Sequence, residues 1–329
     1  MRHWIKAVLK GSTGIVALLA AVSVLAQEVI KVGYLPQVHD AANFAVDREL
    51  GKKYKLEYVK FLRYADAEIA LARGDIQIAP LGYATVVGSA LRDPEPKYFF
   101  VAGMSRGAIN GVCRKDVQVK NWADLKGKVF GVLTGGPAEL FFDDALKVHG
   151  LKGTDVQRVA FTAPGPPLLQ AMQAKNIECM AVFEPFAATA VVDGYGYYPP
   201  INLAENSFLG INHAMAVNAD FLKKRPEIAQ EIAGIVVRAT DEYNRDRAKW
   251  IADLKLRPDF RPEVVQTAVE HVVLDWNLYL DRTKKLAASM KELGFIRAVP
   301  EDAKLEKYFR YEYLTKATGK SEANVGRSK

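Results

Sequence analysis

The chain has 329 residues, half of which are of apolar type, and a formal net charge of +7. This length is sufficient for two lobes that share one chain. Lys and Arg are interspersed with acids instead of forming runs, so the composition gives no sign of nucleic-acid binding.

The first 26 residues have the pattern of a secretory signal peptide. They begin with basic residues and no acid, continue with an apolar or small run from Gly14 to Leu25, and end at Ala26. The run is shorter than the roughly 20 residues that a membrane-spanning helix needs. Neither cysteine lies at the cut, where a lipid anchor would require one. We therefore expect cleavage after Ala26 and a soluble, periplasmic mature chain that begins near Gln27.

Short apolar runs then alternate with helical patterns. The runs are VIKVGYL, LEYVKFL, DIQIAPL, KYFFVAGM, KVFGVL, VQRVAF and CMAVF, and segments such as AANFAVDREL and AELFFDDALKVHG separate them. This alternation predicts an α/β fold built from βαβ units on mainly parallel sheets. From Asn218 onward helical patterns predominate, and the tail from Lys316 to Lys329 is predicted to be disordered.

The order of these elements occurs twice along the chain, which predicts two doubly wound lobes. The spacing of Gly33, Leu35 and Phe44 is repeated by Gly131, Leu133 and Phe142. Ligands of open parallel sheets bind beyond the carboxyl ends of the strands, so two facing lobes would enclose a cleft. The loops expected to face it are Pro36–Asp40, Leu81–Thr85, Thr134–Ala138 and Glu184–Phe186.

Five segments resemble the solute-binding proteins of nitrate, sulfonate and taurine uptake systems and their thiamine-precursor relatives. They are IKVGYLPQVHDAANFAVDREL, GDIQIAPLGYAT, WADLKGKVFGVLTGGPAELFF, LLQAMQAKNIECMAVFEPFAA and AVNADFLKKRPEIAQEI. The resemblance implies a periplasmic binding protein type II-like fold, with two lobes joined by a two-segment hinge and a helical C-terminal region. It places lobe one at residues 27–110 and 217–315 and lobe two at 111–216, with hinge segments near Gly111–Arg114 and Asn212–Val217.

The resemblance also implies a function, the substrate-binding subunit of an ABC-type uptake system. Its partners would be a small-molecule ligand and a membrane permease with its ATPase, and we expect a monomer without cofactor or metal. An enzyme is disfavoured because Ser105 and Ser207 lack an identifiable base nearby in sequence, and because the cysteine-rich motif of a pyrimidine-forming enzyme of this fold is missing. A sensor that presents its ligand to a membrane kinase is an alternative that the sequence leaves open.

The loop from Thr134 to Ala138 is the strongest candidate for binding an anion. Gly135 and Gly136 allow close backbone approach, and the helix that begins at Pro137 favours negative charge at its N-terminus. The residues expected to contact ligand here are Thr134, Gly135, Gly136 and Ala138. Alternatively, Glu139 folds back and caps the first turn itself.

The other candidate contacts have two interpretations each. His39 and His213 could contact ligand or be structural, and Glu184 could accept hydrogen bonds from a ligand or cap the helix that follows it. Aromatic residues could stack on a planar ligand or belong to the core, and they are Tyr34, Tyr83, Phe186 and Phe208. Pro36 lies in the first cleft loop, and Arg106 could clamp an oxyanion or lie on the surface in solvent.

The predicted ligand is a small planar molecule with a carboxylate or sulfonate group, and a neutral or amine-bearing pyrimidine of the thiamine-precursor kind is the alternative. The chain has two cysteines, Cys113 and Cys179, in apolar runs typical of strands. This setting favours two buried thiols over a disulfide.

Overall fold

The computed structural model describes residues 28–328, so the predicted signal peptide lies outside the described part of the chain. Two β-sheets form the framework. The first sheet contains β1 (Val29–Tyr34), β2 (Lys55–Lys60), β3 (Ile78–Gly82), β4 (Tyr98–Gly107), β10 (Ile211–Asn218) and β11 (Val272–Leu274). The second contains β5 (Ile109–Arg114), β6 (Val129–Leu133), β7 (Gln157–Phe161), β8 (Cys179–Phe183) and β9 (Gly196–Tyr197).

Both sheets are mixed. The strand order is β11-β4-β10-β3-β1-β2 in the first sheet and β7-β6-β8-β5-β9 in the second. Strands β1, β2 and β3 are parallel, as are β6, β7 and β8, whereas β10 and β5 run antiparallel to their neighbours. The parallel strands carry the predicted βα units. The antiparallel strands β5 and β10 each follow a passage between the sheets, and the short strand β11 pairs with β4 in antiparallel orientation at the edge of the first sheet.

Helices cover the sheets and form most of the C-terminal region. They are α1 (Ala41–Leu50), α2 (Tyr64–Arg73), α3 (Tyr83–Arg92), α4 (Pro137–Val148), α5 (Pro166–Gln173), α6 (Phe186–Val192), α7 (Ala219–Lys224), α8 (Pro226–Arg245), α9 (Arg247–Lys255), α10 (Pro262–Val269), α11 (Leu280–Glu292), α12 (Asp302–Glu306) and α13 (Tyr311–Thr318). Each helix of residues 28–328 is too short or too polar to span a bilayer.

The chain passes between the sheets at two places that lie close together. The first is Ala108, in the left-handed region with φ of 65°, and the second precedes β10, where Gly210 has φ of 67°. The Gly107 amide donates to the Gly210 carbonyl at 2.7 Å, so the two passages are hydrogen-bonded to each other. Both positions lie just before the expected hinge segments, Gly111–Arg114 and Asn212–Val217. Those segments form parts of β5 and β10, the strands that follow the two passages.

The described part of the tail, residues 316–328, is ordered, contrary to the prediction of disorder from Lys316 to Lys329. Helix α13 continues to Thr318, and the side chain of Val325 is fully buried. The Leu278 amide donates to the Val325 carbonyl at 2.9 Å, which holds the tail against the body of the protein. The polar composition of the segment gave no sign of this buried anchor.

The cysteines form a disulfide, so the expectation of two buried thiols is wrong. Strands β5 and β8 are antiparallel neighbours in which Cys113 lies directly opposite Cys179. Their Cα atoms are 4.0 Å apart, close enough for their side chains to join. The sequence could not reveal this pairing because the register of the two strands depends on residues far apart in the chain.

Candidate ligand-binding site

A cleft of about 340 Å³ lies where the carboxyl ends of the parallel strands of both sheets meet. The first sheet and its helices contribute the loops after β1 and β2 and the first turns of α2 and α3. The second contributes the loops after β6 and β7 and the end of β8, while α11 and the segment after it close one side. The residues that line it include Leu35, Gln37, Leu62, Arg63, Tyr64, Glu68, Thr85, Arg92, Leu133, Thr134, Gly135, Gly136, Pro137, Leu140, Thr162, Phe183, Met290 and Phe295.

The cleft combines helix N-termini and two arginines with apolar walls. The N-terminal turns of α2, α3 and α4 all line it, and each contributes the partial positive charge of its backbone dipoles. The Arg63 guanidinium stands at the start of α2 and is largely exposed, although it pairs with Asp66 at 2.8 Å. A second cation, Arg92, pairs with Glu68 at 2.6 Å, which neutralises that buried acid.

The loop before α4 lines the cleft, but an internal carboxylate already accepts a hydrogen bond from it. Thr134, Gly135 and Gly136 line the cleft as expected, but the Gly135 amide donates to the Glu139 carboxylate at 2.7 Å. Glu139 therefore caps its own helix, which was the alternative interpretation of this loop. A ligand anion at this end of the cleft would share the helix terminus with an internal carboxylate.

Other predicted contacts lie away from the cleft. Tyr83 and Phe208 are core residues, since Tyr83 packs on Phe100 and Phe208 on Phe141. Tyr34 donates to Asp259 and packs against Tyr58.

Phe186 packs in the second lobe over Gly165, where an added Cβ would meet the Phe186 ring at 2.5 Å. Arg106 pairs with Asp275 at 2.7 Å and lines a separate groove beside the two passages. Pro36 and Ala138 are not among the lining residues, although their chain neighbours are.

Glu184 is fully buried and belongs to an internal network. Its Oε1 atom accepts from Asn110 Nδ2 and from the Tyr198 hydroxyl, both at 2.8 Å, and its Oε2 atom accepts from the Ala188 amide at 3.0 Å. The third contact is the predicted helix cap. Burial raises the pKa of Glu184 to about 8 in spite of these donors. The preceding residue, Phe183, is the one that lines the cleft.

His39 and His213 meet in a polar cluster that is fully buried behind the cleft wall, together with Asp40. Phe183 stacks on His39 and Tyr64 stacks on His213, with ring centroids 5.9 and 5.8 Å apart, so cleft-lining rings cover both imidazoles. Burial lowers the pKa of each histidine to about 3 and raises that of Asp40 to about 7. Neither imidazole is charged at neutral pH.

Ser105 also contacts this cluster, with its Oγ atom 2.9 Å from His213 Nδ1. The sequence around it, GMSRG, has the Gly-x-Ser-x-Gly pattern of hydrolase nucleophiles, and the structure supplies the histidine and aspartate that were missing near it in sequence. The context is wrong for a nucleophile, however, because Ser105 lies within strand β4 between two neighbouring strands, not at a strand-to-helix turn. Its side chain is buried and is not among the residues that line the cleft.

Several lining residues were missed in the sequence. Gln37, Arg63 and Tyr64 lie near the ends of β1 and β2, and the position after a parallel strand was the available signal. The predicted cleft loops include the loop after β1, which contains Gln37, but not the loop after β2. Met290 and Phe295 come from the C-terminal region, where nothing in the local pattern indicates a cleft.

Comparison with solved structures identifies the architecture. A ligand-binding component of an ABC-type import system from Staphylococcus aureus, solved with zinc bound, has 18% identity and a TM-score of 0.75 over 89% of this chain and all of that one. The alkanesulfonate-binding protein SsuA from Xanthomonas axonopodis, bound to MOPS, has 19% identity and a TM-score of 0.66, covering 87% and 99% of the two chains. The nitrate-binding protein NrtA from Synechocystis has 15% identity and a TM-score of 0.71, covering 92% and 91%.

The fold is thus that of the type II periplasmic binding proteins, as the sequence predicted. The model of the NMT1-like family matches residues 27–254, and the chain belongs to that family. The fold also occurs in an enzyme, the desulfurization enzyme DSZB, at 13% identity and a TM-score of 0.64 over 89% of this chain and 99% of that one. A search of curated proteins found no match.

Proposed function

We propose that this protein is the solute-binding component of an ABC-type import system and that it captures a small organic anion, a sulfonate or carboxylate, in the cleft. The observation that carries the proposal is the convergence of three helix N-termini and the exposed Arg63 on a cleft with apolar walls. The similar fold of proteins described as binding alkanesulfonate or nitrate supports the same ligand class.

The anionic group would bind between Arg63 and the first turns of α2 and α3. Arg63 can turn its planar guanidinium from Asp66 to the ligand and offer two parallel hydrogen bonds. Each helix terminus adds about 0.3–2 kcal/mol, and Glu139 already occupies that of α4, so we place the anion nearer the other two. The apolar body of the ligand would contact Leu62, Leu133 and Phe183.

The proposal also covers the location of the protein in the cell and its partners there. We propose a periplasmic, monomeric protein that delivers its ligand unaltered to a permease and its ATPase. The sensor interpretation shares the same cleft and differs only in the partner. Neighbouring genes that encode a permease and an ATPase would support the carrier, and a neighbouring histidine kinase gene would support the sensor.

Titration calorimetry of the mature protein tests the ligand class with alkyl sulfonates, aromatic carboxylates, taurine, nitrate and aminopyrimidines. We expect a sulfonate or carboxylate to bind and Arg63→Gln to weaken it about tenfold or more, since a hydrogen bond to a charged group contributes about 1.5–3 kcal/mol. The matched control is Arg245→Gln, an exposed arginine at the end of α8. Binding of aminopyrimidines alone, unaffected by Arg63→Gln, would contradict the proposed ligand charge.

A further inference from the structure

The buried cluster behind the cleft contains three polar atoms that lack a hydrogen-bond partner within the described chain. They are His39 Nδ1, Asp40 Oδ1 and His213 Nε2. His213 Nε2 and Asp40 Oδ1 are 2.7 Å apart, yet their geometry is not that of a hydrogen bond. A buried polar atom without a partner costs about 1–3 kcal/mol, so three of them in one place require a physical explanation.

The protons of this cluster can be assigned at His39. The Tyr64 hydroxyl donates to Gln37 Oε1 at 2.8 Å, so it has only acceptor capacity left for His39 Nε2, which is 3.3 Å away. Nε2 therefore carries the proton of the neutral imidazole, and Nδ1 carries a lone pair. Because Nδ1 is a lone-pair acceptor in a closed interior, its missing partner must be a donor or a cation.

In Asp40 and in His213 as well, one polar atom of the side chain makes a supporting hydrogen bond and the other faces the cluster. Asp40 Oδ2 accepts from the Leu35 amide at 3.3 Å, and His213 Nδ1 is 2.9 Å from Ser105 Oγ. When His213 Nδ1 donates to Ser105, its Nε2 atom is a lone-pair acceptor as well. Each residue thus has one atom fixed by a supporting hydrogen bond and one atom without a partner, which is the arrangement of metal ligands and their supporting groups.

We propose that His39, Asp40 and His213 bind a divalent transition-metal ion such as Zn²⁺. One ligand atom from each residue can be chosen so that all three lie within 4.8 Å of one another. Two imidazole nitrogens and a carboxylate oxygen form a donor set that zinc and related ions prefer. Zinc ligands at bonds of about 2.0–2.1 Å lie about 3.3 Å apart. When the ion binds, Asp40 Oδ1 and His213 Nε2, which are 2.7 Å apart, must therefore separate by roughly half an ångström, and the most distant pair, up to 4.8 Å apart, must approach by up to about 1.5 Å.

The position of the ion indicates a structural role. His39 and Asp40 belong to the turn after β1, and His213 belongs to β10, which follows the second passage between the sheets. An ion would therefore fasten the loop that carries Gln37 to a central strand of the first sheet. Because the cluster is fully buried, the ion would enter during folding.

Elemental analysis of the untagged protein, folded with Zn²⁺ and then dialysed against metal-free buffer, tests the proposal. We expect about one zinc per chain, and less than about a tenth of that in Asp40→Asn and His213→Gln. The matched control is His271→Gln, which removes a histidine that stacks on Tyr198 outside the cluster, and it should retain the ion. Zinc content below a tenth in the wild-type protein, or equal content in the Asp40→Asn variant, would overturn the proposal.

Co²⁺ provides a second measurement that does not depend on the folding of a variant. The wild-type protein folded with Co²⁺ should show the visible absorption of a low-coordinate site with nitrogen ligands, and a competing addition of Zn²⁺ before folding should abolish it. A spectrum like that of hexaaqua Co²⁺ would show that no inner-sphere site forms, in which case the histidines and Asp40 are a hydrogen-bonded network.

Discussion

Replacement of Glu184 by glutamine should change how stability depends on pH. Burial raises the pKa of Glu184 from 4.5 to about 8, and none of its three hydrogen-bond donors is charged. An acid with a raised pKa in the folded state contributes its full stability below pH 4.5 and loses it as pH rises towards 8. The slope is about 1.4 kcal/mol per pH unit, so wild-type protein should lose about 2–3 kcal/mol between pH 5.5 and 7.5 through this residue.

Urea unfolding of both proteins at the two pH values isolates this effect, because other titrating groups cancel in the difference. Glutamine cannot accept from the Ala188 amide with its NH₂ group, so the variant should be the less stable protein at pH 5.5. The gap should narrow by about 2–3 kcal/mol at pH 7.5. The matched control, Glu301→Gln, replaces an exposed acid before α12 and should follow the wild type. A gap that is constant within about 0.5 kcal/mol would refute the reasoning and mean that the donors keep Glu184 ionised.

Two further predictions concern the whole fold. Reduction of the Cys113–Cys179 disulfide should lower the free energy of unfolding by about 2–4 kcal/mol, because it opens a loop with a sequence separation of 66 residues. Urea unfolding with and without reductant measures this, and unchanged midpoints after both thiols are shown to be free would contradict it. Saturation with ligand should reduce the radius of gyration through closure about the passages at Ala108 and Gly210, as measured by small-angle scattering. An unchanged radius, with binding demonstrated by calorimetry, would count against closure.

The repeated βα order was predictable because it is recorded in residues that are close in sequence. Gly33 and Gly131 were aligned from spacing alone, and the structure gives them the same surroundings. A Cβ on Gly33 would meet Ile76 at 2.7 Å and Phe61 at 3.2 Å. A Cβ on Gly131 would meet Ile177 at 2.6 Å and Phe161 at 3.2 Å. The glycine, the isoleucine before the third strand and the phenylalanine at the end of the second strand form one local packing unit in each lobe.

The side chains of the site were harder to predict because successive residues at the end of a strand face opposite sides of the sheet. Three of the four predicted loops contain residues that line the cleft, yet the residues chosen within or beside the predicted loops were often one position away. Gln37 lines the cleft while the predicted Pro36 does not, and Phe183 lines it while Glu184 is buried. A shift of one residue reverses the side of a strand end, and the local sequence does not determine which side is buried.

Side-chain contacts connect the proposed ligand site to the buried cluster. Gln37 accepts a hydrogen bond from Tyr64, whose hydroxyl meets His39, so a short chain of polar contacts leads from the cleft into the interior. Phe183 comes from the other sheet and covers His39 from the cleft side. His39 contacts Tyr64 of the first lobe and Phe183 of the second. A movement between the lobes would therefore change how the cluster is shielded from the cleft. The cluster therefore lies on the side of the first lobe that faces the second, and we expect its stability to affect how firmly Gln37 and Tyr64 are held beside the cleft.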